Sequence, residues 1–147
     1  MTSVLHLPAR TDVPVACDMS TARDTFEERF ADYGELFERS LLNRERRADS
    51  VVFWFRADAR EQVEDLVQRE HACCPFFDFR VEAVGHEVIW TTTNGVAGED
   101  RAAVDVHLDK FYALPDHTGS GLDGYLSRLA DQGVNFERVG DKRLELR

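Results

Sequence analysis

Apolar residues recur along the first third of the chain at steps of three or four positions, as they do on one face of a helix. The clearest such stripe consists of Phe26, Phe30, Tyr33, Phe37 and Leu41. Ser20 and Thr21 come before it as candidate N-caps, and Asp24 follows Thr21 by three residues, as in a capping box. The pattern therefore predicts an amphipathic first helix, followed by a charged connector over residues 43–50.

The middle of the chain changes from strand to helix and back to strand. Residues 51–55 are a continuous run of β-branched and aromatic side chains, which predicts a buried strand. Asp58 is a good N-cap for a helix over residues 59–73, and Pro75 disfavours helical geometry at Cys74. Beyond it, apolar and polar residues alternate over 77–82, and Gly85 supplies a turn before a strand over 88–93.

The remaining elements are shorter or less regular. A strand over residues 12–17 is predicted at a sheet edge, because Pro14 cannot donate a hydrogen bond to a neighbouring strand. The C-terminal part is predicted to form a helix over 100–113, a loop over 114–121, a helix over 122–131 with Gly133 as its C′ residue, and a hairpin of 135–139 with 142–146. The sum is an α+β fold, a mixed and largely antiparallel sheet packed against helices, in one domain over residues 12–147 after a flexible N-terminus of residues 1–11.

Charge and length narrow the range of partners. The 147-residue chain carries a formal net charge of −10, which disfavours binding to nucleic acids and to anionic membranes. The first ten residues lack the pattern of a signal peptide, and no apolar run approaches the ~20 residues that span a bilayer. We therefore expect a soluble, cytoplasmic protein whose three cysteines are free, ligating or catalytic rather than cross-linked. The sequence leaves the oligomeric state open.

The segment with the most distinctive chemistry is the end of the predicted second helix. Glu70 lies on the same helix face as the apolar residues Leu66 and Val67, and Cys73 and Cys74 follow one turn later. An ionised carboxylate among core positions is costly unless something satisfies it. We expect a cation, a hydrogen-bond donor or a retained proton beside Glu70.

Two chemistries suit this cluster. Adjacent thiols with a carboxylate one turn back can be ligands for a soft or borderline metal ion, or a nucleophile pair with an acid/base group. The negative end of the helix dipole disfavours the thiolate form, so a metal or a nearby cation would have to offset it. The cysteines also have an ordinary interpretation as small buried hydrophobes, and their spacing is not that of a structural zinc site.

Other candidate residues have plainer interpretations. His107 shares a helix face with Val104 and Phe111, which indicates a packed histidine. His117 lies in a predicted loop and is more simply a solvated side chain. The arginines of residues 44–47 read as part of a solvated connector, and Trp54 and Trp90 as core or cross-strand residues.

The order of these segments resembles a family of small bacterial domains of poorly defined function. The family pattern is a short strand ending in Cys, an amphipathic helix, a strand, a helix ending in Glu-x-x-Cys-Cys-x-Phe, and an aromatic hairpin. The matching pieces here, which cover residues 12–113, are Pro14-Val15-Ala16-Cys17, residues 26–42, residues 51–56, Glu70-His71-Ala72-Cys73-Cys74-Pro75-Phe76-Phe77 and residues 79–93. The chain departs from the short members by a C-terminal extension over residues 114–147.

The resemblance implies a function, because members of that family occur beside mercury-responsive regulators. It implies that thiols handle a soft metal, with Cys17, Glu70, Cys73 and Cys74 as the functional set. The leading hypothesis is a cytosolic protein that binds Cu, Zn or Hg through these residues, with Glu70 as a ligand or as a neighbour of the ligands. Alternatives are a small-molecule enzyme that uses Glu70, Cys73 and Cys74 as catalytic residues, and a ligand-sensing or interaction domain with structural cysteines.

Overall fold

A computed structural model describes residues 3–10, 12–13, 15, 17–96, 98–118, 121–138 and 143–146. It contains two antiparallel sheets and four α-helices within this part of the chain. The strands are β1 (Ser3–Leu7), β2 (Cys17–Asp18), β3 (Leu41–Arg46), β4 (Ser50–Arg56), β5 (Phe77–Val84), β6 (Glu87–Asn94), β7 (Phe136–Arg138) and β8 (Arg143–Leu146). The helices are α1 (Phe26–Ser40), α2 (Arg60–Cys73), α3 (Arg101–His117) and α4 (Gly121–Asp131).

The main sheet has five strands in the order β1-β5-β6-β4-β3, and every neighbouring pair is antiparallel. Alternate residues of its central strands, such as Phe53, Phe79 and Trp90, are fully buried. These side chains form one core with the apolar faces of α1, α2 and α3. The α+β prediction is confirmed, and the core between the sheet and the helices is where the functional candidates lie.

Helix α1 follows the predicted apolar stripe but begins later than its predicted caps. Thr25 is the N-cap: its hydroxyl accepts from the Glu28 amide at 3.2 Å, and the Glu28 carboxylate accepts from the Thr25 amide at 3.1 Å. This capping box replaces the one predicted from Thr21 and Asp24. The Asp24 side chain does not cap the helix and accepts hydrogen bonds from Arg29 instead.

Helix α2 ends where the sequence predicts and begins differently. A turn of 3₁₀ helix over Ala57–Ala59 precedes it, and Ala59, without a side-chain cap, takes the place predicted for Asp58. At the other end, Cys74 leaves helical geometry with φ −124° and ψ 63°, directly before Pro75. The Cys74 amide still donates to the Glu70 carbonyl at 2.7 Å, so both thiols stay beside the last helical turn.

The predictions for residues 43–50 and for the N-terminal region were wrong, because pairing between strands outweighed local composition. The first half of the predicted charged connector, residues 43–46, belongs to strand β3, which pairs with β4 at the sheet edge. Its arginines are not simply solvated: Arg44 donates to the Tyr112 carbonyl at 2.8 Å, and Arg46 donates to Asp109 at 2.9 Å. A strand rich in charge is stable here because one face covers α3 and the edge needs no apolar residues.

The N-terminal region also differs from the predicted strand over residues 12–17. Only Cys17–Asp18 is strand there, and it pairs with β8 in the second sheet, of order β2-β8-β7. Residues Ser3–Leu7, which the sequence assigned to a flexible segment, form β1 along the edge of β5. Pro14 and Ala16 lie outside the described residues.

The C-terminal region combines one wrong prediction with two confirmed ones. Helix α3 runs through Pro115 to His117, where a loop was predicted, and the Thr118 amide donates to the Leu114 carbonyl to close the turn that contains the proline. Helix α4 ends at Asp131 as predicted, and Gly133 just beyond it has a φ of 83°, which suits glycine. Strands β7 and β8 pair as a hairpin, and its predicted turn lies outside the described residues. Among the described helices, none has the length and hydropathy to cross a bilayer.

Candidate functional site

The end of α2 brings three potential ligands together. A carboxylate oxygen of Glu70 and the sulfurs of Cys73 and Cys74 all lie within 4.8 Å of one another, close enough to hold a metal ion. The two sulfurs are 3.9 Å apart, and the Cys73 sulfur is 3.9 Å from Glu70 Oε2. Cys73 is 4% exposed and Cys74 1%, so both thiols are shielded from water.

The partner of the Glu70 carboxylate is Arg29, which comes from α1. Its Nη1 donates to Glu70 Oε1 at 3.1 Å and to the Cys73 sulfur at 3.5 Å. Arg29 is 3% exposed. The position of Glu70 predicted a cation or hydrogen-bond donor beside it, and the structure identifies this group as Arg29. One guanidinium nitrogen therefore contacts both the carboxylate and a thiol.

Asp24 holds Arg29 in place from the opposite side. Its two carboxylate oxygens accept from Nε at 2.6 Å and from Nη2 at 2.8 Å, a bidentate arrangement. Arg69 adds a further bond to Asp24 at 2.8 Å and one to Asp32 at 3.0 Å. These contacts fix the orientation of Arg29, so that its remaining nitrogen points at the cluster.

The electrostatics follow from these bonds. The hydrogen bond from Arg29 lowers the pKa of Asp24 from 3.8 to about 2, against the opposing effect of burial. Burial by itself lowers the pKa of Arg29, but the hydrogen bond with Asp24 and the charge of Glu70 outweigh it and raise that pKa. Arg29 thus remains charged, and it stabilises negative charge on Glu70 and on Cys73. It offsets the unfavourable helix dipole that the sequence places at these thiols.

A partly enclosed cavity of about 110 Å³ adjoins the cluster. Arg29, Glu70, Cys73 and Cys74 all line it, so the thiols face a space rather than solid packing. The rest of the wall is mainly aromatic and aliphatic, with His107 and Lys110 contributed by α3; the remaining lining residues are Met19, Phe26, Phe30, Tyr33, Phe77, Phe111, Leu114 and Tyr125. The site therefore joins a polar cluster to an apolar chamber.

Tyr33 lies on the same wall as Arg29, since both are residues of α1. Burial first and the charge of Glu70 second raise its pKa well above the ordinary value, so the hydroxyl stays protonated. Interaction with the Glu70 side chain contributes to this shift, so the hydroxyl is coupled to the cluster. A protonated phenol thus faces the carboxylate side of the cavity.

The structure assembles part of the predicted residue set. Glu70, Cys73 and Cys74 come together as predicted, whereas the side chains of Cys17 and His117 lie outside the described part of the chain. His107 is buried, and its ring contacts Phe76, Phe77 and Phe136.

Sequence reasoning missed Arg29 and its clamp Asp24. Arg29 lies three residues after Phe26 and four before Tyr33, so it belongs to the apolar stripe of α1. A charged residue within an apolar stripe is a signal of a buried ion pair. The sequence therefore indicated a buried ion pair at Arg29, but it did not identify the carboxylates that pair with it.

Comparison with protein-family models, curated proteins and solved structures found no match to this chain. A function for this chain is therefore inferred from the geometry of the site.

Proposed function

We propose that this protein binds a soft metal ion through Cys73, Cys74 and Glu70. The observation that carries the proposal is the meeting of these three donor atoms within 4.8 Å at the end of one helix. Thiolate ligands select soft and borderline ions such as Cu(I), Zn(II) and Hg(II), and a carboxylate can complete the set or orient it.

The spacing of the sulfurs fits such an ion. Two thiolates at a metal–sulfur distance of about 2.3 Å and a tetrahedral angle lie about 3.8 Å apart. The sulfurs of Cys73 and Cys74 are 3.9 Å apart before any ion is considered, so the site needs little rearrangement.

The charge around the cluster also favours a cation. Asp24 takes two of the Arg29 hydrogen bonds and Glu70 takes one, so the guanidinium chiefly balances Asp24. Glu70 and two deprotonated thiols then carry more negative charge than Arg29 offsets, which a bound cation would neutralise. The resemblance of this segment to the Glu-x-x-Cys-Cys-x-Phe pattern points the same way.

The test is metal retention by the reduced protein. Metal-free protein is loaded separately with Zn(II), Cu(I) or Hg(II), washed, and weighed by native mass spectrometry. We expect one retained ion, lost in a Cys73→Ser, Cys74→Ser double variant and bound more weakly by Glu70→Gln. Glu61→Gln, an exposed carboxylate of the same helix, is the matched control and should behave as wild type.

Two results would contradict the proposal: no ion retained by wild type, or full retention by the folded double variant. Far-UV circular dichroism and urea unfolding establish that each variant is folded. Cys17→Ser tests the additional proposal that Cys17 belongs to the ligand set, which predicts weaker binding without its thiol.

The cavity favours a second function, an enzyme acting on a small molecule at the same thiols. Cys73 would be the nucleophile, held near Arg29, with Glu70 as the acid/base group. The test is alkylation of metal-free folded protein by iodoacetamide, mapped by mass spectrometry. Labelling of Cys73 or Cys74 is expected in native buffer, and labelling only after unfolding would exclude this function.

A further inference from the structure

The imidazole of His107 is a polar group in apolar surroundings. It is 6% exposed, and among the described residues its Nε2 has no hydrogen-bond partner. The nearest aromatic centroids are those of Phe76 at 5.3 Å, Phe136 at 5.6 Å and Phe77 at 6.5 Å. None of these rings offers a conventional donor or acceptor, and a buried nitrogen without a partner is costly.

His107 also lines the cavity beside the thiols. The chamber of about 110 Å³ is smaller than the apolar cavities of about 150 Å³ that take up benzene, but it is only partly enclosed, so a single ring is the largest body that suits it. Its wall is mostly aromatic, which suits a flat apolar body. A molecule in this chamber can therefore bring one polar group to Nε2.

We infer that the cavity binds a small, uncharged, single-ring organic molecule whose hydrogen-bonding group pairs with Nε2 of His107. Two cations line the cavity, and both already have partners: Arg29 pairs with Asp24 and Glu70, and the Lys110 ammonium lies 3.0 Å from the centroid of the Phe136 ring. An uncharged ligand is therefore favoured. A hydroxyl group suits the position best, because it donates and accepts and so pairs with either tautomer of histidine. The inference needs the cavity alone, so it holds or fails independently of the metal site. It also describes the substrate class of the second candidate function.

Phenol and toluene form the test pair, since both have seven non-hydrogen atoms and they differ by a hydroxyl in place of a methyl. Their dissociation constants are measured by titration calorimetry or ligand-observed NMR with metal-free protein in chelator. A purely apolar chamber would prefer toluene, the less water-soluble of the two. We expect wild type to bind phenol about fivefold or more tightly than toluene.

Variants of His107 assign that preference to Nε2. His107→Phe is expected to abolish or reverse it, and His107→Gln, which places an amide near the same position, is expected to restore part of it. His86→Phe, the same change in an exposed turn, is the matched control and should leave the preference intact.

Three outcomes would overturn the inference. They are no binding of either probe by wild type, equal or weaker binding of phenol, and a phenol preference that survives in folded His107→Phe. If His107→Phe does not fold, the wild-type comparison and His107→Gln still decide the question.

Discussion

Arg29 and Arg46 each form ion pairs with carboxylates from distant parts of this chain, and the two groups of pairs differ in solvent exposure. Arg29 connects α1 to α2 through Glu70 and also pairs with Asp24, just before α1; the Arg29, Asp24 and Glu70 side chains are 4%, 12% and 14% exposed. Arg46 connects β3 to α3 through Asp109, which is 69% exposed. The bonding distances are similar in the two groups, at 2.6–3.1 Å.

Burial, rather than bonding distance, decides how much each ion pair contributes to stability. At the surface, each charge keeps its water when its partner is removed, so the pair contributes little. In the interior, removal of one charge leaves its partners buried without a counter-charge, which is strongly destabilising. The buried group is therefore the one that can fix the charge of a functional cluster.

The largest expected effect is that of Arg29→Met. It removes the cation shared by Asp24 and Glu70, and loss of one partner from a buried network costs about 3–5 kcal/mol. We expect the free energy of unfolding in urea to fall by that amount at neutral pH. A loss below about 1 kcal/mol would place Arg29 in the surface class and contradict the comparison.

A smaller effect, with a defined pH dependence, is expected for Asp24→Asn. The pKa of Asp24 falls from 3.8 to about 2 on folding, which corresponds to about 2 kcal/mol of stability when the carboxyl is ionised. The variant should be less stable than wild type by about that amount near pH 7.

The sign of the pH effect follows from the lowered pKa of Asp24. Its contribution is complete above about pH 4 and is lost as the pH falls toward 2, because the folded carboxyl then takes up a proton. The stability difference between wild type and Asp24→Asn should therefore narrow over that range in urea titrations. A difference that stays constant down to pH 2 would contradict the assignment.

The smallest effect is expected for Arg46→Met. The pair with Asp109 is reached by solvent, so its loss should change the free energy of unfolding by less than about 1 kcal/mol. Salt sharpens this comparison: 1 M NaCl should shrink the effect of Arg46→Met further, while that of Arg29→Met persists. A salt-insensitive loss of several kcal/mol at Arg46 would remove the distinction between the two groups.

Local sequence is sufficient for the features whose causes lie within a few residues of each other. The stripe of α1, the stop at Pro75, the hairpin of β5 and β6 and the turn at Gly133 all follow from local spacing and backbone preference. The same holds for Glu70, Cys73 and Cys74, because one helical turn brings them together whatever else the chain does.

The distant groups that complete the site are brought together by tertiary folding, and local patterns do not identify them. Arg29 meets Glu70 across 41 positions of sequence, and His107 reaches the same cavity from α3. Strands β1 and β3 exist because a neighbouring strand supplies their hydrogen bonds, which composition does not reveal. Local patterns state what each segment can form. Which charges and strands pair is decided when the core forms, because exclusion of water then makes an unpaired charge or backbone group costly.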